Sequence, residues 1–87
     1  MCSNVIHRTA LDGSGKGAAG WFSLAQANIT YSCPSHLQLE HSVNLDFVDS
    51  PGVTERRVAV ELTIDSAREL AHALLEAAAD AERYEAA

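Results

Sequence analysis

The 87-residue chain carries a formal charge of −6, from twelve acids against six lysines and arginines. Proteins that grip nucleic acid or anionic lipid concentrate positive charge, so both are excluded as partners. No apolar run approaches the ~20 residues needed to span a bilayer, and no basic-then-apolar leader is visible, so a cytoplasmic location is expected.

Size and composition predict a single α+β domain over residues 1–87. Fifteen alanines make up much of the 47% hydrophobic fraction, so the material for a core is thin. Chains this small gain their margin from a disulfide, a metal or self-association. Two cysteines, Cys2 and Cys33, are too few for a disulfide framework and are expected to be reduced.

In chain order, Ser3 to Leu11 is the weakest strand, because neither of its faces is cleanly apolar. Gly13 to Gly20 is expected to be a flexible hairpin loop. Trp21 to Ser32 follows as a strand, with Trp21, Ala25, Ala27, Ile29 and Tyr31 on one face. Cys33-Pro34-Ser35 is a short connection to the clearest strand, His36 to Val48. There Leu37, Leu39, His41, Val43, Leu45 and Phe47 alternate with polar residues at period two. Pro51 and Gly52 suit a turn before the next strand, where Val58, Val60, Leu62 and Ile64 alternate with Arg57, Ala59, Glu61 and Thr63. The period then becomes helical, with Leu70, Leu74, Ala77, Ala78, Ala81 and Tyr84 forming one stripe. Ser66 with Glu69 fits a capping box, and Thr63 is an alternative N-cap. The result is a four-stranded antiparallel meander followed by one C-terminal helix, ββββα.

One helix about 10 Å wide cannot cover four strands about 19 Å across. Phe22, Leu24 and Val48 lie on faces opposite the main apolar rows and form a second apolar patch. A homo-oligomer, with a dimer favoured, is therefore expected.

The glycine segment contains GxGxxG at Gly15, Gly17 and Gly20, but it leads into a strand rather than a helix. Free helix N–H groups are what hold a phosphate, so the motif is better explained as a hairpin. Lys16 and Trp21 remain ligand-contact candidates beside it. Cys2, Cys33 and His36 form a partial zinc set, since Cys-x-x-His is one compact pair where structural zinc uses two. His41 interrupts an apolar row, which fits either an imidazole at the core edge or a pocket-lining ligand or base. No complete nucleophile, base and orienting set is visible, so catalysis is not the leading expectation. The row Gln38, Glu40, Ser42, Asn44 and Asp46 is a solvated face, or the lining of a polar cavity at a dimer seam. The leading expectation is a small oligomerising domain that binds a small molecule or protein. The alternatives are a metal protein using Cys2, Cys33 and His36, and an enzyme using His41.

Three segments resemble a family of uncharacterised actinobacterial proteins. They are GSGKGAAGWF at Gly13–Phe22, EHSVNLDF at Glu40–Phe47 and RVAVELTIDSAREL at Arg57–Leu70. The resemblance spans most of the chain and implies no activity, cofactor or catalytic residue. Its members tend to carry His where this chain has Cys33, a replacement that argues against a nucleophile and leaves a metal-ligand role open.

Overall fold

The computed structural model describes residues 5–35, 37–50 and 56–87. Strands β1 (Val5–Gly17), β2 (Gly20–Ser32), β3 (Ser42–Val48) and β4 (Arg57–Leu62) precede the helix α1 (Ile64–Ala86). The strands pair antiparallel in sequence order, so the expected ββββα meander is the observed architecture.

Register follows from alternation. Thr9, Ala27, Phe47 and Val58 lie side by side across all four strands, and His7, Ile29, Leu45 and Val60 form the next such row. Both rows belong to the face that meets α1. Between them, on the opposite face, run Arg8, Asn28, Asp46 and Ala59, then Ile6, Thr30, Asn44 and Glu61. The edge strands β1 and β4 approach one another, so the sheet curls about its apolar face.

The third strand begins at Ser42, not at His36. Residues 37–40 bend, and Ser32 pairs with Ser42, leaving 33–41 as a connection. Proline 34 has no N–H for a ladder, and the Glu61 carboxylate captures two backbone donors that a strand would need. It accepts from the Ser35 and Leu37 N–H groups, the latter at 3.4 Å. Leu37 consequently lies over the polar face, and Leu39 is 48% exposed rather than under the helix.

The glycine segment is strand rather than loop. Gly13 to Gly17 pair with Leu24 to Gly20, and the connection is the two-residue turn Ala18-Ala19. Gly20 supplies the positive φ, +114°, with which the tight turn re-enters the ladder. At Gly15 a Cβ would come within 3.2 Å of the Leu24 side chain, so glycine there lets Leu24 lie across the neighbouring strand. The pairing slips by one residue between Ala10 and Gly13, placing Leu11 and Asp12 opposite Ala25 as a bulge. Strand β3 accompanies β2 only from Gln26 to Ser32. The other half of β2, with Gly13–Gly17, therefore extends past the sheet as a two-stranded arm, in a molecule 49 Å long.

Helix α1 starts one turn earlier than Ser66. Thr63 is its N-cap, with Oγ1 accepting from the Ser66 N–H at 3.0 Å. It packs against β3 and β4 through its first turns, by way of Ala67, Leu70, Ala71 and Leu74. From Leu75 onward it runs past the sheet. Tyr84, placed by periodicity on the buried stripe, is 86% exposed, and no helix residue is fully buried.

Replacing Gly20 by alanine should lower unfolding stability by about 1–2 kcal/mol, the cost of a Cβ at positive φ. Urea denaturation measures this, and an unchanged midpoint would show that the turn does not depend on glycine.

Candidate functional site

The two faces of the sheet carry two concavities of opposite chemistry. On the face away from α1, β2, β3 and β4 present Asn28, Thr30, Asn44, Asp46, Arg57 and Glu61 as the floor of an open basin of about 680 Å³. Ser35 and Leu37, drawn across by Glu61, form its wall. The size is within the usual range for small-molecule sites.

The charged groups of the basin are held in place. Arg57 Nε donates to Asp46 Oδ1 at 2.8 Å between half-exposed side chains. Asn44 Nδ2 donates to the Cys33 carbonyl at 3.4 Å, while its Oδ1 accepts from the Ser42 hydroxyl at 2.5 Å. Ser42 is fully buried, and this bond satisfies its hydroxyl. Gln26 Nε2 donates to Asn28 Oδ1 at 2.5 Å. The floor therefore offers neutral donors and acceptors at its centre, with Asp46 and Glu61 against Arg57 giving one net negative charge. That balance favours neutral or cationic hydrogen-bonding ligands over anions.

On the helix side lies a cleft of about 350 Å³ whose lining is almost wholly apolar. Leu11, Ala27, Ile29, Val43, Leu45, Phe47 and Leu62 form its floor, and Ala67, Leu70 and Leu74 its roof. Protein interiors close such gaps to packing densities near those of organic crystals. Here the gap stays open, and among the described apolar residues only Ala27 and Val48 are buried, at 4% and 5% exposure. Val48 belongs to the second apolar patch expected from the sequence; Phe22 and Leu24 are half-buried beside it. The surplus apolar surface lies on the helix side instead.

The candidates named from sequence are dispersed. Lys16 and Trp21 face each other in register at the arm tip, both exposed. His41 stands at the opposite end, its ring stacked on Tyr31 with centroids 5.1 Å apart and planes 27° apart. Ten strand positions separate Trp21 from Tyr31, about 33 Å. His41 lines neither concavity. Cys33 is disulfide-bonded rather than reduced, and in that state it offers no thiolate to zinc. Cys2 and His36 lie outside the described residues, among which no group of three metal-capable side chains gathers.

Sequence reasoning placed Asn44 and Asp46 in a polar row but missed Asn28, Thr30, Arg57 and Glu61 as their partners. Gln26, Asn28 and Thr30 are the polar positions of β2, as Arg57 and Glu61 are of β4. Aligning these three wet rows in one register would have found the basin.

A curled antiparallel sheet with one overhanging helix, polar on one side and open and apolar on the other, defines a small α+β domain. The chain belongs to a family of unknown function, DUF6295, whose model matches residues 1–87. No curated protein and no solved structure matches it.

Substituting Glu61 by alanine should release the wall of the basin. Amide exchange at Ser35 and Leu37 should accelerate about tenfold, the loss of one charge-assisted hydrogen bond. Protection in β2 and β3 should persist, and unaltered exchange at Ser35 and Leu37 would refute the role given to Glu61.

Proposed function

We propose that this protein is a self-associating binding module. Two copies join through the apolar helix side, and the polar basin on the opposite face takes a small neutral or cationic ligand. The observation that carries this is the unfilled cleft, together with the confinement of full apolar burial, among the described residues, to Ala27 and Val48. A second copy supplies the missing cover with its own exposed apolar surface, each copy being donor and acceptor alike, which is the self-complementarity of a two-fold dimer.

The basin suits binding better than turnover. Asp46 is engaged by Arg57, and Glu61 by two backbone N–H groups, so both carboxylates serve to fix the site's shape. His41 is held against Tyr31, away from either concavity.

Sedimentation equilibrium should show a dimer at micromolar concentration. Leu74 lines the cleft yet is 61% exposed in the single chain, so Leu74→Glu tests the interface, with an unchanged circular dichroism spectrum showing that the fold is kept. Each dimer loses two leucines, about 4 kcal/mol of apolar burial, so the dissociation constant should rise about a thousandfold. A wild-type monomer at all concentrations would end the proposal.

The cytoplasmic location rests on composition, and the Cys33 disulfide weighs against it, because reducing compartments keep thiols free. Alkylation in rapidly quenched cells should modify both cysteines if the chain works there. Recovery of unmodified cysteines would overturn that location.

A further inference from the structure

We propose that each copy lends its hairpin arm to the other, seating Trp21 in the partner's cleft between sheet and helix. This rests on the self-association proposed above and specifies how it is made.

The arm is built to reach outward and stay rigid. Gly13–Gly17 and Gly20–Leu24 are laddered to one another beyond the end of β3, so the tip is held by backbone hydrogen bonds rather than by packing on its own sheet. At that tip Trp21 is 72% exposed, although an aromatic ring of this size represents 150–250 Å² of surface that water solvates poorly, by the usual range of about that magnitude. The same chain holds an apolar cleft of about 350 Å³ without an occupant. A large exposed aromatic anchor and an unfilled apolar pocket are the two halves of an interface hot spot, in which tryptophan is enriched.

Three features point to a second copy of this chain as the occupant. Leu11, at the bulge from which the arm departs, itself lines the cleft, so the arm leaves from the cleft's rim. A two-fold axis there lets two arms cross and exchange places, each donor being also an acceptor. A bulge at this point sharpens the local twist of the strand that carries the arm. Charge is complementary as well. Lys16, directly opposite Trp21, is the lone charged residue from Gly13 to Ala25, whereas Asp65 to Glu85 holds six acids against Arg68 and Arg83. The arm therefore enters under an acidic helix carrying a single positive charge.

Trp21 is the sole tryptophan, so its fluorescence reports directly on the site. In wild-type protein the emission should be blue-shifted and protected from acrylamide at concentrations where sedimentation shows dimer. Dilution through the dissociation constant should shift it red and expose it to quencher. Trp21→Ala should weaken the dimer at least about tenfold, as for an interface hot spot, with an unchanged circular dichroism spectrum. A dimer whose tryptophan is quenched as freely as in urea-unfolded chain overturns the arm exchange and leaves self-association standing. A monomer at every concentration removes both.

Discussion

The structure turns on an imbalance of cover: the sheet's helix-side face holds more apolar side chains than a single helix can bury. Curling brings β1 and β4 together and narrows that face, yet α1 reaches β3 and β4 only through its first turns. The helix is also poor in volume. Ala67 and Ala71 contribute a methyl each to the roof, where leucines would reach the floor. Alanine stabilises the helix backbone while leaving space beneath it. The consequence is a well-formed scaffold of strands and helix with its interior incompletely filled.

The polar face is tied to the apolar one by the pleat. Each residue sent toward the helix places its neighbours in the basin, and a one-residue slip would exchange the two chemistries. Several devices protect against this. Glu61 clamps the 33–41 connection across one end of the sheet, and Asp49 at the other end accepts from Arg56 at 3.0 Å while its N–H bonds the Arg56 carbonyl. The Leu11–Asp12 bulge confines its register shift to the arm, so that the four-strand rows remain aligned. Exposed ion pairs such as Arg56–Asp49 add little energy of their own.

Legibility in the sequence tracked how local each determinant is. Val43, Leu45 and Phe47 announced a half-buried strand because alternation is a property of neighbouring residues. Alternation continued back through Leu37, Leu39 and His41, where it misled: the competing partner, Glu61, lies some twenty residues away and could not be read from the segment itself. The glycines from Gly13 to Gly20 suggested flexibility by composition, whereas cross-strand pairing of Gly13 with Leu24, Gly15 with Phe22 and Gly17 with Gly20 makes all four strand. Helical periodicity identified the stripe through Leu70 and Leu74 but not where the sheet beneath it stops, so Tyr84 was assigned to a surface it never reaches. The basin was missed for a related reason. Its residues come from three strands, each of which shows only a polar alternate row when read alone.

These non-local determinants converge on the same economy. A chain with few large apolar residues distributes them along the sheet interior, the first half of α1 and the arm tip, rather than collecting them into one closed core. Closing the cleft within one molecule would need larger residues on the helix roof than Ala67 and Ala71. Distributing them leaves each molecule with both an apolar projection and an apolar recess, while the polar basin, on the far side of the same strands, remains open to solvent. The association and the ligand binding proposed above would then use opposite faces, because the pleat that separates their side chains is the sheet itself.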